Sequence, residues 1–193
     1  MNTELPALII IDMQRGMASA CAGPRNNPDA EQNIARLLAA WRKAEAPRVH
    51  VRHISRTVGS PFWPGQPGAE FQDSLAPLAS EHVVEKNVPD AFINTGLERW
   101  LRVRDIERLV LVGVSTNNSV EATARTAGNL GFDTRVVSDA TFAFAKVDYA
   151  GTERSAEEVH AMALANLDGE YASIASTHAL LGTLLPSASG DLS

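Results

Sequence analysis

The sequence predicts an α/β protein with a three-layer αβα architecture and a six-stranded, mainly parallel, Rossmann-like sheet. Short apolar runs rich in β-branched residues alternate along the chain with amphipathic helical patterns, which is typical of a parallel sheet covered on both faces. The length of 193 residues is that of one domain. No internal repeat interrupts the alternation. We therefore expect residues 1–186 to form a single domain and residues 187–193 to form a C-terminal tail.

The first elements along the chain set this pattern. Residues 6–11 (PALIII) form an apolar run that predicts a strand buried on both faces. Residues 29–44 carry apolar side chains at the spacing of an amphipathic helix, at Ile34, Leu37, Leu38 and Trp41. Pro47 ends that helix, and residues 48–54 (RVHVRHI) alternate as a second strand does.

Residues 56–80 break the alternation and are predicted to be mostly irregular loop. They contain three glycines and four prolines, which are strong breakers of regular structure. A loop of this length inside a compact domain is usually a lid or a binding loop.

The remaining elements resume the alternation of strands and helices. Strands are predicted at residues 82–85, 108–112, 134–137 and 172–174. Helices are predicted at residues 95–104, 119–129, 152–167 and 176–184. A turn over residues 113–118 joins the fourth strand to the helix that follows it.

Composition excludes several classes of protein. Seventeen Lys and Arg against 23 Asp and Glu give a net charge of −6, and without a basic run no nucleic-acid partner is predicted. The longest apolar run, residues 7–11, is far shorter than the roughly 20 residues that cross a bilayer, and no charged segment of a signal peptide precedes it. A single cysteine, Cys21, excludes an intrachain disulfide and fits a reducing cytoplasm.

Candidate functional residues follow from a rule for open parallel sheets. Functional groups gather beyond the carboxyl ends of the strands, where the strand order reverses. Asp12, Lys86 and residues 115–119 follow the first, third and fourth predicted strands. A carboxylate at the mouth of a buried strand is partly desolvated, which suits Asp12 to proton transfer, although it could equally cap a turn. Lys86 could stabilise that charge, or it could be solvated as most lysines are.

The turn over residues 113–119 (GVSTNNS) links a buried strand to a helix. It lacks the lysine of a phosphate-binding loop, and the chain has no GxGxxG, so a nucleotide site is not predicted. Its backbone N–H groups and the helix N-terminus favour a developing negative charge, so a nucleophile at Ser119 would lie in a suitable field. The alternative is that Ser119 only caps the helix.

Three stretches of the chain resemble a known family. They are PALIIIDMQ, the segment from VVEKNVPDAF to RTAGNLGF, and DTRVVSDAT, and they are similar in order and spacing to the isochorismatase-like cysteine hydrolases. The similarity extends from Pro6 to about Leu184. It implies the fold of that family, an amidohydrolase activity, and assembly as a homodimer or homotetramer.

The resemblance also implies roles for particular residues. In that family an Asp, a Lys and a Cys form the catalytic group, and these positions fall on Asp12, Lys86 and Ser119. The family pattern further implies a cis peptide bond between Val114 and Ser115. Such a turn would direct the N–H groups of Ser115 and Ser119 into one oxyanion hole.

The departure from the family lies at position 119, which is a serine rather than a cysteine. A hydroxyl is far less acidic than a thiol, whose pKa is about 8.5, and Asp is a weak base for it. Two explanations are open: an engineered Cys→Ser change made to trap a ligand, which the otherwise intact motifs favour, or a natural member with altered or lost chemistry. Cys21 is not expected to take over, because its sequence surroundings offer no base or helix dipole.

Further side chains near the carboxyl edge are candidates for substrate binding. The aromatic and polar candidates are Phe62, Trp63, Phe92, Phe142, Gln14, His53, Asn117 and Asn118. His50 and His53 lie three residues apart on a strand and face opposite sides, so they do not chelate one metal together. The Asp-x-His pattern of metal-dependent relatives is absent, and neither a metal nor another cofactor is predicted.

These observations predict a cytoplasmic enzyme that hydrolyses a C–N bond of amide or carbamoyl type in a small molecule. The reaction would pass through a covalent acyl-enzyme, and with Ser119 in place we expect binding with little turnover. Two alternatives stay open. One is an isochorismatase-type vinyl-ether hydrolase that uses Asp12 without a nucleophile, and the other is a non-catalytic small-molecule binder.

Overall fold

The computed structural model describes residues 4–18 and 23–184, and the predicted α/β fold is confirmed. Its strands in chain order are β1 (Ala7–Ile11), β2 (Arg48–His53), β3 (His82–Lys86), β4 (Arg108–Val114), β5 (Asp133–Phe142), β6 (Lys146–Val147), β7 (Glu153–Arg154) and β8 (Ser173–Ala175). Six of them form one parallel sheet in the order β3-β2-β1-β4-β5-β8, and β6 and β7 pair as a small antiparallel hairpin.

Within residues 4–18 and 23–184, five α-helices cover the two faces of this sheet. They are α1 (Ala30–Lys43), α2 (Leu97–Arg102), α3 (Glu121–Asn129), α4 (Ala156–Leu167) and α5 (Thr177–Leu184). The core between the sheet and α2, α3 and α4 includes Ile9 and Ile11, and the core against α1 and α5 includes Leu8 and Ile10. β1 is therefore buried on both faces, as its continuous apolar run predicts.

The strand order reverses between β1 and β4. From β1 the chain builds outward through β2 to β3 on one side, and through β4 to β5 and β8 on the other. Gly113 is required where β4 passes β1, because its φ is +118° and a Cβ there would lie 2.1 Å from the Ile11 carbonyl oxygen. The carboxyl ends of these two strands, with Asp12 and the turn after Val114, form the crevice in which such sheets bind ligands.

The fourth predicted helix starts later than expected. It begins at Ala156, after a capping box in which Ser155 and Glu158 hydrogen-bond each other reciprocally. The preceding residues, Glu153–Arg154, form β7 of the hairpin.

The strand predicted to end at Val137 continues to Phe142. Its register with β4 shifts between Leu111 and Gly113, after which the pairing resumes at Thr141. Like a β-bulge, this irregularity allows the polar residues 138–139 to lie within the strand without ending it. Phe142 therefore ends a strand and does not lie in a loop.

Some predictions fall outside the described residues, namely those for Cys21 and for the tail at residues 187–193. Within the described ranges, none of the helices combines the length and apolar character needed to span a membrane.

Candidate active site

Asp12 follows β1 directly and adopts a left-handed backbone, with φ of 54°. Its N–H donates a hydrogen bond to the Val51 carbonyl oxygen over 2.9 Å, which fixes it at the mouth of β1 and β2. Only 1% of the residue is exposed. Oδ2 accepts a hydrogen bond from Lys86 Nζ at 2.7 Å, whereas Oδ1 has no hydrogen-bond partner among the described residues. One carboxylate oxygen is held by Lys86, and the other is buried without a partner in the described part of the chain.

Lys86 is the last residue of β3, which lies two strands from β1. Its side chain is fully buried and places Nζ 2.7 Å from Asp12 Oδ2 and 3.3 Å from Ser119 Oγ. The alternative of a solvated lysine is therefore wrong. The ammonium compensates the charge of Asp12 and holds the carboxylate and the hydroxyl in one cluster.

Ser119 lies in a π-helical turn, Thr116–Val120, that leads into α3. Such turns are rare and occur often at functional sites. The residue is 5% exposed and its hydroxyl faces Lys86. The alternative of a simple helix cap is wrong, because the cap position of α3 is Val120 and the Ser119 hydroxyl bonds instead to Lys86.

Burial dominates the electrostatics of Asp12. It raises the pKa of the Asp12 carboxyl above its ordinary value, although the charge and hydrogen bond of Lys86 act in the opposite direction. Partial burial and the charge of Lys86 lower the pKa of His53, at the end of β2. A carboxyl whose protonated form is favoured by burial, with one free oxygen, can take up and return a proton.

The turn that carries the nucleophile position has a cis peptide bond between Val114 and Ser115. His160, on α4, was not a candidate from the sequence, but it contacts the residue after Ser115. Its Nδ1 lies 2.8 Å from Thr116 Oγ1. Burial lowers the pKa of His160, which favours the neutral imidazole. No local pattern connects two residues 44 positions apart, so only the packing of α4 on this turn reveals the contact.

The two predicted asparagines of this turn lie away from the cluster formed by Asp12, Lys86 and Ser119. Asn117 is half-buried and lines a different cleft, beside α4 and the β6–β7 hairpin. Asn118 is exposed. In the described part of the chain, neither side chain hydrogen-bonds to a member of the cluster.

Gln14 has a structural role, because its side-chain amide hydrogen-bonds to backbone atoms and is not free to bind a substrate. Its Nε2 donates to the carbonyl oxygens of His53 and Ala69, both at 2.9 Å, and its Oε1 accepts from the His53 N–H at 2.8 Å. The residue is fully buried. The expectation of a substrate-binding amide is corrected, because Gln14 joins the end of β1 to the end of β2 and to the long loop.

Two of the predicted aromatic residues lie at the mouth of the site. The Phe62 ring packs edge-on against His53, with ring centroids 6.2 Å apart. Trp63 lines a cleft of about 450 Å³ whose wall also includes Lys86. Both come from the loop that the sequence predicted to be a lid or binding loop.

The other two aromatic residues belong to the core, which corrects their assignment to the pocket wall. Phe92 stacks on Phe132, with ring centroids 5.8 Å apart, inside the core beneath α2 and α3. Phe142 is fully buried, and the Arg25 guanidinium lies 4.0 Å above its ring. The extension of β5 turns Phe142 inward, away from the crevice.

Across residues 4–18 and 23–184, no three His, Cys, Asp or Glu side chains are grouped as a metal ion would require. His50 is fully buried against Glu81, with Nε2 2.9 Å from Glu81 Oε2, while His53 lies near Asp12 and Lys86. The two histidines thus occupy separate environments, as their spacing predicts.

The sequence as a whole matches the family model of the isochorismatase domain over residues 6–179. The chain belongs to the isochorismatase family. It is 36% identical to the isochorismatase family protein YrdC of Bacillus subtilis over 182 residues, which cover 94% of this chain and 97% of that protein. The crystal structure of an isochorismatase-family protein from Chromobacterium violaceum superposes with a TM-score of 0.92 at 48% identity, covering 95% of each chain.

The isochorismatase family includes hydrolases whose names state their reaction. Nicotinamidase 3 of Arabidopsis thaliana is 26% identical to this chain over 197 residues, which cover 95% of this chain and 91% of that protein. The chain therefore shares nearly its whole length with isochorismatase-family relatives, including the segments that carry Asp12, Lys86 and Ser119.

Proposed function

We propose that this isochorismatase-family hydrolase cleaves a C–N bond of amide or carbamoyl type in a small molecule. The observation that carries the proposal is the buried cluster in which Lys86 Nζ holds both Asp12 Oδ2 and Ser119 Oγ. A base, a cation and a nucleophile position within hydrogen-bond reach are what nucleophilic acyl transfer requires.

The residues divide the reaction into two steps. Asp12 takes the proton of the nucleophile at position 119, which attacks the amide carbonyl carbon and forms a tetrahedral intermediate. The N–H groups of Ser115 and Ser119 stabilise its oxyanion, and Lys86 keeps Asp12 charged until it accepts the proton. Asp12 then protonates the leaving amine, and water attacks the acyl-enzyme and releases the acid.

Ser119 decides how fast this reaction runs. A hydroxyl is a much weaker acid than the thiol that the family uses, so the protein as it stands binds substrate and turns it over slowly. Ser119→Cys restores the thiol, and we expect it to raise ammonia release from small amides and carbamoyl compounds by at least about 100-fold, because a thiol is far more acidic and more nucleophilic than a hydroxyl. If neither form hydrolyses any member of a broad panel, the amidase proposal fails.

A second candidate is vinyl-ether hydrolysis with Asp12 as general acid. Two observations favour it: burial raises the pKa of Asp12, and its Oδ1 has no hydrogen-bond partner among the described residues, so a protonated Asp12 can donate without any nucleophile. Activity of the Ser119 protein on isochorismate, abolished by Asp12→Ala and unchanged by Ser119→Ala, would select this candidate over the first.

Assembly as a homodimer or homotetramer and a cytoplasmic location remain proposals that accompany this function. Light scattering coupled to size-exclusion chromatography measures the mass of the assembly directly. A monomer at working concentration would contradict the proposed homodimer or homotetramer.

A further inference from the structure

Helix α4 presents apolar side chains to the solvent as well as to the core. Its outward side chains include Ala161, Met162 and Ala165, all of which are exposed. Met162 is 64% exposed. The outer face of a surface helix usually carries charged and polar residues. An apolar outer face is typical of a surface that another molecule covers.

This outer face of α4 forms one wall of a cleft of about 880 Å³. Val159 and Met162 contribute apolar surface to the cleft. Its other walls come from the β6–β7 hairpin and from the turn that carries Ser119, to which Asn117 belongs. A molecule seated in the cleft therefore contacts the turn of the nucleophile position from behind.

The order of residues along the outer face of α4 indicates what covers it. From the first turn to the last, the exposed residues are Glu157, Glu158, Ala161, Met162, Ala165 and Asn166. An apolar centre with a polar rim is the usual composition of a protein–protein interface. If two copies of α4 pack antiparallel, Met162 at the midpoint meets its counterpart. Each Glu158 then lies opposite Asn166 of the second copy, an acceptor opposite a donor.

The charges beside α4 are complementary to each other in the same arrangement. Lys146 pairs in register with Arg154, just before the N-terminal end of α4, and its ammonium makes no ion pair or hydrogen bond with any described residue. Glu121 lies at the other end of α4, where Asn166 Nδ2 is 3.3 Å from Glu121 Oε1. Antiparallel packing brings Lys146 of each copy towards Glu121 of the other. A surface complementary to itself favours a second copy over an unlike protein.

We propose that a second copy of this chain docks on α4 and its cleft, with the two α4 helices antiparallel about a two-fold axis at Met162. The inference rests on the homo-oligomer proposed together with the function, and it assigns that assembly a surface. His160, on the inner face of α4, contacts Thr116, and Asn117 lines the cleft. The docked copy thus supports the turn that carries Ser119.

The first experiment tests the position of the two-fold axis. Cys21 is the only cysteine of the chain, so Cys21→Ser combined with Met162→Cys leaves one thiol per subunit, on α4. A bismaleimide that spans about 8–10 Å, the distance between packed helices, should join most subunits in pairs. Val103→Cys in the same Cys21→Ser background is the matched control, because Val103 is 65% exposed but lies at the end of α2. It should stay unlinked.

The second experiment measures the strength of the assembly by sedimentation velocity over a range of protein concentrations. Met162→Lys places two like charges at the axis, and we expect it to raise the dissociation constant at least about 30-fold, the effect of removing a central interface residue. A lysine four residues after Glu158 forms a favourable pair on the helix, so the variant should fold. Val103→Lys is the control and should leave the constant unchanged.

The outcomes separate this surface from the assembly on which it rests. If the unchanged protein is a monomer at all concentrations, both the surface and the homo-oligomer are rejected, while ammonia release still decides the hydrolase function. If the protein assembles, but Met162→Lys does not weaken it or the thiol on α4 links no better than that on α2, the surface is rejected and the assembly stands. Efficient linking on α4, together with the weakened Met162→Lys assembly, supports the surface.

Discussion

Two buried carboxylates at opposite ends of the sheet have opposite surroundings. Glu81, just before β3, is bonded by Arg42, Arg48, His50 and the Leu78 N–H at 2.8–2.9 Å. Asp12, just after β1, is bonded by one lysine and keeps Oδ1 without a partner among the described residues. Both carboxylates are inaccessible to bulk solvent, so the difference lies in the number of donors that surround each one.

The hydrogen-bond donors around each carboxyl decide whether its pKa is raised or lowered. Burial would raise the pKa of Glu81, but hydrogen bonds from Arg42 and the Leu78 N–H, with the charge of His50, lower it to about 2. For Asp12 burial outweighs Lys86, and the pKa is raised. A fully bonded carboxylate is a permanent anion that stabilises the fold, whereas a half-bonded one can exchange a proton and serve in a reaction.

The largest effect is expected where Asp12 loses the hydrogen bond and the charge of Lys86. Lys86→Met in the Ser119→Cys protein should lower ammonia release at least about 100-fold, because the charged form of Asp12 is no longer stabilised. The fold should persist, since the Asp12 carboxyl can take up a proton. Lys43→Met, at the exposed end of α1, is the control and should keep full activity. An active Lys86→Met protein would remove Lys86 from the catalytic group.

The next effect concerns stability instead of activity. Glu81→Gln leaves two half-buried arginines without their anion, and we expect it to lower the free energy of unfolding by about 3 kcal/mol. Glu85→Gln, at an exposed ion pair with Arg52, should cost less than about 1 kcal/mol. Urea unfolding at pH 7 measures both, and equal losses would contradict the contrast drawn between buried and exposed pairs.

The smallest expected effect is a dependence of stability on pH. The pKa of Glu81 is lower in the folded state, about 2, than the ordinary 4.5, so the unfolded chain binds more protons between these values. The stabilisation is fully present above about pH 4.5 and is lost as the pH falls towards 2. Urea midpoints measured from pH 7 to pH 2.5 should fall less steeply for Glu81→Gln than for the unchanged protein. If the urea midpoints of the two proteins fell equally steeply with pH, the assignment of this effect to Glu81 would be contradicted.

Much of the sheet and of the proposed catalytic cluster could be predicted from local signals. The apolar run before Asp12 and the turn before Ser119 placed both residues at the carboxyl edge, because the edge is where parallel strands end together. Lys86 follows from the same rule, although its burial does not. What a strand-end residue contacts depends on its neighbours in the sheet, and a single sequence does not show that order.

The incorrect and missing assignments all depend on long-range packing. Gln14 bonds to backbone atoms 39 and 55 residues away, so its role is invisible to spacing. Phe142 lies in the core because β5 continues past an irregularity. In the sequence, the polar residues at that point predict the end of the strand. The contact of His160 with the nucleophile turn, and the donors around Glu81, likewise join elements far apart in the chain.

Asp12 is the proposed proton acceptor and donor of the reaction, and replacing it tests the proposed function most directly. The measurement is ammonia release by the Ser119→Cys protein with and without Asp12→Asn, a change that keeps shape and that the left-handed backbone tolerates. We predict a loss of at least about 100-fold in the rate, and a lower free energy of unfolding, because Lys86 loses the anion with which it is paired. An Asp12→Asn protein that folds and keeps its rate would show that proton transfer takes place elsewhere, and the account would be wrong.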